Sequence, residues 1–216
     1  MSNIISLIVP SLFETLYMVI LSTIFTIILG LPIGILLVVS EKNHILPNKA
    51  VNSVLSFIVN IGRSIPFIIL NFALIPFTRL VVGTSIGTTA AMVPLIIAAV
   101  PFFARVVESS LKELNYGIIE ASIAMGASPM EIILKVMLPE SIPSLILGVT
   151  ITIIAQVGYS AMAGAVGGGG LGNLAINYGY YRYKPDVMLS TIFVLVILVM
   201  SIQSIGNILS NKFDKR

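Results

Sequence analysis

The segment EASIAMGASPMEIILKVMLP, residues 120–139, has the plan of two short helices joined by a tight turn. Gly126 stands where a first helix would end with a positive φ angle, a backbone conformation that favours glycine. Ser128 is placed to cap a second helix, and Glu131 follows three residues later, which is the pattern of a capping box. We therefore predict a helix on each side of Gly126.

The same segment is apolar around both helices and carries few charges. Pro139 disfavours the helical conformation at the residue before it, so we expect the second helix to stop at Leu138. Long uncharged stretches flank the segment on both sides. An apolar surface in such a place is typical of a helix pair that lies in a groove of another protein.

These residues resemble the EAA loop of ABC-importer permeases. Ser122 and Val136 stand where that loop has alanine and isoleucine. Five positions match at the family's spacing: Glu120, Ala121, Gly126, Leu138 and Pro139. Two longer stretches, 60–91 and 157–172, are similar to the permease subunits of bacterial methionine importers. The alternative is an ordinary loop in which Glu120 only complements the positive end of its own helix.

The resemblance implies the type I importer fold in a bacterial inner membrane. It implies a homodimer of permeases, two ATP-binding subunits that hold ATP and magnesium, and an extracytoplasmic methionine-binding lipoprotein. It implies import of L- and D-methionine, although related permeases carry other small solutes, and no cofactor in this chain. Contact with the ATPase would fall to six residues: Glu120, Ala121, Gly126, Ser128, Leu138 and Pro139.

Composition places the chain in a membrane. Of its 216 residues 57% are hydrophobic and only 10% are charged, with a mean hydropathy of +1.07. Soluble proteins carry roughly 25% charged residues. A formal net charge of +3 is too small to indicate nucleic-acid binding. The chain has no cysteine, so disulfides and cysteine-based metal sites are excluded.

We predict an all-α integral membrane protein with five transmembrane helices. A span needs about 20 apolar residues, and glycine-rich breaks separate the uncharged stretches. Residues 83–87 are assigned to a turn, and residues 167–170 begin an irregular or re-entrant passage. The transmembrane domain covers 12–207, with cytoplasmic coupling helices at 117–139. The five spans are 15–40, 51–78, 86–107, 142–165 and 187–209.

The positive-inside rule places the N-terminus outside and the C-terminus in the cytoplasm. One side holds eight basic residues: Lys42, Lys49, Arg105, Lys112, Lys135, Lys212, Lys215 and Arg216. The other side holds three: Arg79, Arg182 and Lys184. Four tyrosines between 178 and 183 are typical of an aromatic belt at that outer boundary.

Two places in the spans are candidates for the translocation path. Arg63 falls near the middle of the second span, where a charge usually faces a cavity or a partner, and Ser64 and Pro66 follow it. If the span begins late, Arg63 instead extends to an interface. In the fourth span, Tyr159 and Met162 lie among small residues, and Met162 is the candidate gate. The alternative is ordinary helix packing.

Other functions find less support. Gly167-x-Gly169-x-x-Gly172 spells the dinucleotide fingerprint but has no strand before it. No P-loop motif occurs, so a separate subunit must bind ATP. Ser160 has no nearby base, since the sole histidine is His44 in the first polar loop. An ion-driven carrier would need acidic residues inside the spans, where we expect none. A membrane scaffold without transport stays open.

Overall fold

The computed structural model describes residues 2–214, and within that range the chain is helical, with short connections and no β-strand. In chain order the α-helices are α1 (Ser2–Val39), α2 (Lys49–Ser64), α3 (Phe67–Ala73), α4 (Ile75–Val82), α5 (Thr88–Lys112), α6 (Tyr116–Ala124), α7 (Pro129–Glu131), α8 (Leu138–Glu140), α9 (Ile142–Gly164), α10 (Gly170–Leu174) and α11 (Pro185–Phe213). π-Helical turns follow α7 (Ile132–Met137) and α10 (Ala175–Tyr180). Lys215 and Arg216, used above for orientation, lie outside the described residues.

Four helices are long and apolar enough to cross a membrane: α1, α5, α9 and α11. A fifth crossing exists if α2 and α3 are one broken span, since they pass the same test together but meet at a bend of 101°. The all-α membrane fold is thus confirmed. The stretch 51–78, predicted as one span, does not form one helix. It is divided at Pro66 and again at Leu74, and α4 extends it to Val82.

Two other boundaries differ from the sequence prediction. Helix α1 begins at Ser2 rather than at Thr15, because the apolar stretch continues through Glu14 with no helix-breaking turn. After the glycine run, residues 170–180 are helical rather than irregular, since α10 continues into its π-helical turn. The glycine turn before α5 is confirmed, because helix stops at Val82 and resumes at Thr88.

Close approach of α1 and α5 organises the bundle. A Cβ atom at Gly34 would lie 2.5 Å from Val107 Cβ and 2.7 Å from the Ala104 carbonyl oxygen, so only glycine fits there. Gly30 similarly faces Phe103. The Gly30–Gly34 pair thus lets the two helices approach closely. Gly83 and Gly87 make no such contact, because both lie in the turn before α5 with nothing within 4 Å of a Cβ atom.

The largest buried cluster joins α1 and α5 to the segment between α5 and α9. Phe103, Val107 and Leu111 of α5 are at most 2% exposed. They pack with Val38 and Val39 of α1 and with four side chains of the following segment: Ile119, Ile132, Ile133 and Met137. This segment, residues 116–140, is called the coupling segment below. Its inner face is thus fixed to the membrane-spanning helices.

Candidate functional site

The coupling segment has the predicted helix–turn–helix form. Asn115 caps α6, its side-chain oxygen accepting from the Gly117 N–H at 2.9 Å. The helix ends at Gly126, whose φ angle is 83°. The Ala127 N–H donates back to the Ser122 carbonyl at 3.1 Å, closing the turn. Gly126 therefore sets the angle between the two helices, as the sequence indicates.

The second helix starts with the expected capping box. The Ser128 hydroxyl oxygen accepts from the Glu131 N–H at 3.4 Å, and Glu131 Oε2 accepts from the Ser128 N–H at 3.1 Å. Lys135 Nζ lies 3.0 Å from Glu131 Oε1. The Lys135 hydrogen bond, followed by those from Ser128, lowers the pKa of Glu131 to about 2. The cap therefore stays ionised at every physiological pH.

Pro139 does not stop this helix where the sequence predicts. The backbone remains helical through Leu138 to Glu140, and the break falls at Ser141. The preceding π-helical turn shifts the hydrogen bonds, so that the Leu138 N–H donates to the Ile133 carbonyl. A proline within a helix removes one donor and crowds the preceding turn. The wider π turn ahead of Pro139 therefore lets the helix continue.

The coupling segment presents a second apolar face, to its outside. Its large apolar side chains there are exposed: Met125 by 80%, Met130 by 62% and Leu134 by 55%. Glu120 and Ala121 lie exposed on the neighbouring turn of α6. Of the predicted contact residues, Leu138 is partly buried, and Gly126, Ser128 and Pro139 are exposed. The inner face packs against α1 and α5, and no other described part of this chain covers the outer face.

The structure brings Arg63 and Tyr159 together. Both line a cavity of about 140 Å³ between α2, α5 and α9, along with Phe67 and Phe102. The Phe67 and Tyr159 rings stack at 4.8 Å between centroids. Helix α2 ends at Ser64 and α3 starts after Pro66, so the broken backbone borders this cavity. A cation beside two aromatic rings at a helix break can interact with a polar solute.

Met162 is placed elsewhere. It is 49% exposed on α9 and does not line the cavity that Arg63 and Tyr159 share. The structure of one chain thus groups Arg63, Ser64, Pro66 and Tyr159 at the break but leaves Met162 on a separate surface. Its assignment as a gate stays a prediction.

Two polar side chains with long-range hydrogen bonds, Glu14 and the buried Gln156, were not predicted from the sequence. Glu14 lies inside α1, and its carboxylate accepts from the Gly170 N–H at 2.7 Å at the start of α10. The expectation that no span contains an acidic residue was therefore wrong. Gln156 is fully buried in α9, where it accepts from Ser22 and donates to Thr26 Oγ1 at 3.1 Å. Both contacts join residues more than 100 positions apart, so no local pattern reveals them.

Glu14 also explains the fingerprint-like glycines. Gly167 and Gly169 lie in the connection between α9 and α10, Gly172 lies within α10, and α9 rather than a strand precedes them. The group that the Gly170 N–H binds is a protein carboxylate. Within residues 2–214, no group of three or more His, Cys, Asp or Glu side chains is arranged to hold a metal ion.

Comparison with known proteins gives a consistent result. Residues 30–216 match the family model described as "Binding-protein-dependent transport system inner membrane component". The chain is 54% identical to "Probable D-methionine transport system permease protein MetI" of Pasteurella multocida over 206 residues, 95% of each chain. It is 50% identical to "Methionine import system permease protein MetP" of Bacillus subtilis, covering 84% of this chain and 82% of the relative.

Among solved structures, the chain is similar to one from "Inward facing conformations of the MetNI methionine ABC transporter". The two agree with a TM-score of 0.98 and 49% sequence identity, and the match covers 100% of each chain. The similarity thus includes the coupling segment and the broken helix as well as the long spans.

Proposed function

This chain belongs to the family of binding-protein-dependent transport system inner membrane components and is the membrane-spanning permease subunit of such an importer, and from this premise we propose that the solute it imports is methionine. The names of its relatives, which specify methionine or D-methionine transport, support this substrate. We include both L- and D-methionine, since one relative is named for methionine import and another for D-methionine transport.

The outer apolar face of the coupling segment is the observation that carries the mechanism. Met125, Met130 and Leu134 are more than half exposed on helices whose other face is fixed to α1 and α5. Exposed apolar patches of this kind mark sites of protein association. This face, together with Glu120, would fit a cleft on a separate ATP-binding subunit.

In this mechanism the chain transmits motion and makes no covalent change. ATP and magnesium bind to the partner, which closes and carries the coupling segment with it. The broken helix and the cavity at Arg63 and Tyr159 then open towards the outside, and hydrolysis in the partner reverses the change. Such a switch requires the ATP-bound partner to prefer one permease conformation over the other.

The assembly would contain two copies of this chain, two ATP-binding subunits and an extracytoplasmic methionine-binding lipoprotein. The similar solved structure, a MetNI methionine ABC transporter, supports the first two components. The lipoprotein is expected because the matched family is binding-protein-dependent.

Uptake in proteoliposomes tests the substrate. The permease, its ATPase and the binding protein are reconstituted, and radiolabelled L-methionine uptake is measured with ATP or a non-hydrolysable analogue. We expect uptake only with ATP, and competition by unlabelled D-methionine but not by histidine. Uptake driven by an ion gradient without ATP would overturn the mechanism. ATP-driven uptake of a different solute would overturn only the substrate.

Co-purification tests the coupling surface. We expect Met125→Glu together with Met130→Glu to abolish recovery of the ATPase with the tagged permease, because two charges would enter an apolar contact. Tyr181→Glu is the control, since Tyr181 is 66% exposed in the connection before α11 and lies outside the coupling segment. Equal ATPase recovery from both variants would contradict this assignment.

A further inference from the structure

Three charged side chains form a ladder along one face of α5. Arg105 Nη1 lies 2.5 Å from Glu108 Oε2, and Lys112 Nζ lies 2.9 Å from Glu108 Oε1. Glu108 is only 6% exposed, so a buried carboxylate is held between two cations. Spacings of three and four residues place all three side chains on neighbouring turns.

Each end of this ladder contacts a different element. At one end, Arg105 Nη2 donates to Asn60 Oδ1 of α2 at 2.8 Å. At the other end, Lys112 Nζ lies 2.5 Å from Glu41 Oε1 in the connection between α1 and α2. A hydrogen bond from a charged side chain at one end and an ion pair at the other therefore tie α5 to both ends of the region that leads into the broken helix.

The connection that holds Glu41 also holds the coupling segment. The hydroxyl of Tyr116, the first residue of α6, donates to the Asn43 carbonyl at 2.8 Å. The rings of Tyr116 and His44 meet edge to face at 5.9 Å. Residues 41–44 thus receive one contact from the end of α5 and two from the start of the coupling segment.

The far end of the ladder lies close to the candidate path. Asn60 is four residues before Ser64, where α2 ends and the 101° bend begins. The Ser64 hydroxyl donates to the Asn60 carbonyl at 2.8 Å. Arg63, beside it, lines the cavity shared with Tyr159. Polar contacts, linked by the backbone between Glu41 and Asn43 and at Asn60, therefore lead from Tyr116 to the helix break.

We propose that Arg105, Glu108 and Lys112 are positioning residues that make the coupling segment, α5 and α2 move as one body, so that motion of the ATPase reaches the helix break. This inference rests on the proposed function. A buried carboxylate is strongly destabilised when one cation leaves it. The ladder therefore resists bending between its ends, whereas an apolar contact would let the helices slide. Energetic coupling of this kind is carried by contiguous networks.

The number of ATP molecules hydrolysed per solute imported separates this role from simple structural support. A residue that only stabilises the fold lowers both rates together when it is replaced, because less complex assembles. A residue that transmits motion leaves ATP hydrolysis running while uptake falls. The ratio of the two rates therefore measures transmission and is independent of the amount of assembled complex.

The first variants are Glu108→Gln and Lys112→Met, with Arg79→Met as the control. Arg79 also lies near a helix C-terminus and makes an exposed contact, to Ser85 Oγ at 3.1 Å, but it is on α4, outside the coupling segment and the ladder. We expect the ratio to rise by about tenfold in the first two variants and to stay unchanged in the control. An unchanged ratio in Glu108→Gln, or an equal rise in the control, would overturn the proposal.

A double-mutant cycle covers the case in which Glu108→Gln does not assemble. Glu41→Gln and Lys112→Met remove the two partners of one exposed contact, whose side chains are 40% and 43% accessible. We expect the double variant to raise the ratio no more than the larger single change, because both act on one connection. Fully additive effects would show that the pair does not work as a unit.

Distances between spin labels test the rigid body without transport. The chain has no cysteine, so labels at Ile118→Cys of α6 and Phe57→Cys of α2, both exposed, are unique and avoid the outer apolar face. A labelled copy is assembled with excess unlabelled copies. We expect one narrow distance distribution, with and without ATP, and a broader one in Glu108→Gln. A wild-type distance that shifts with ATP would overturn the proposal that the coupling segment and α2 move as one body. Failure to bind any ATPase would overturn the proposed function. In that case label distances in the isolated permease, with and without Glu108→Gln, still test whether the ladder holds the two elements together.

Discussion

At the scale of single residues, Gly126 carries the geometry of the coupling segment. Its φ angle of 83° belongs to the left-handed region, and a Cβ atom there would meet nothing within 4 Å. A side chain at this position therefore disturbs the backbone and not the packing. A left-handed conformation costs an L-residue about 1–2 kcal/mol, and a β-branched residue tolerates it least.

We predict that Gly126→Val leaves membrane insertion intact but uncouples ATP hydrolysis from uptake, because the angle between α6 and α7 changes. Gly83→Val is the matched control. Gly83 has a φ angle of 82° and equally open surroundings, but it ends α4 in the turn before α5. Expression, ATPase activity and uptake are compared in proteoliposomes. Normal uptake by Gly126→Val, or equal loss in both variants, would refute the prediction.

Replacing Arg63 distinguishes a role in the translocation path from a role in supporting the fold. It lines the cavity at the helix break and forms no ion pair within the described residues. We predict that Arg63→Ala lowers uptake at least about tenfold, whereas Arg63→Lys keeps part of it, since an unpaired intramembrane cation is usually functional. Arg79→Ala, which loses only an exposed contact to Ser85, is the control. Unaffected uptake in Arg63→Ala would remove Arg63 from the path.

At the scale of elements, the connection between α1 and α2 depends on pH through His44. Burial is the main cause that lowers the pKa of His44 below 6.5, and Lys112 adds to it while Glu41 opposes it. The folded state therefore binds fewer protons than the unfolded state. The stability of this connection is complete above pH 6.5 and falls as the pH drops below that value.

We accordingly predict that the amides of residues 41–44 lose protection between pH 7 and pH 5, so that their exchange slows less than the intrinsic rate does. His44→Gln should remove this loss of protection, because glutamine does not titrate. Asn115, which caps α6 without a titratable group, marks a nearby region where the rate should follow the intrinsic effect alone. The same loss of protection at residues 41–44 in His44→Gln would exclude His44 as its cause.

How well the sequence predicts an element depends on how local its cause is. Gly126 and the Ser128–Glu131 box act within four residues, so both were predicted correctly. Pro66 is a local cause of the helix break, but the bend of 101° also depends on how α3 packs against α5 and α9. The contact of Glu14 with Gly170 and the contact of Lys112 with Glu41 join distant residues. Only the fold brings these together.

At the scale of the whole molecule, sidedness follows from charge and awaits direct measurement. The absence of cysteine allows one reporter at a time. We predict that Tyr183→Cys, at a residue 88% exposed, reacts with a membrane-impermeant maleimide added to intact cells. Met125→Cys should react only after the membrane is opened. The reverse pattern would place the coupling segment outside and refute the charge-based orientation.

The lengths of the helices imply a dependence on the lipid itself. Helix α1 has 38 residues, or about 57 Å, whereas α9 has 23 residues, or about 35 Å. A hydrocarbon core of about 30 Å suits α9 and cannot enclose an upright α1. The long helix must tilt, protrude or thicken the bilayer around it. Hydrophobic mismatch at α1 is thus a force on the helix that holds Gly34 against α5, and acyl-chain length becomes a variable that sets the transport rate.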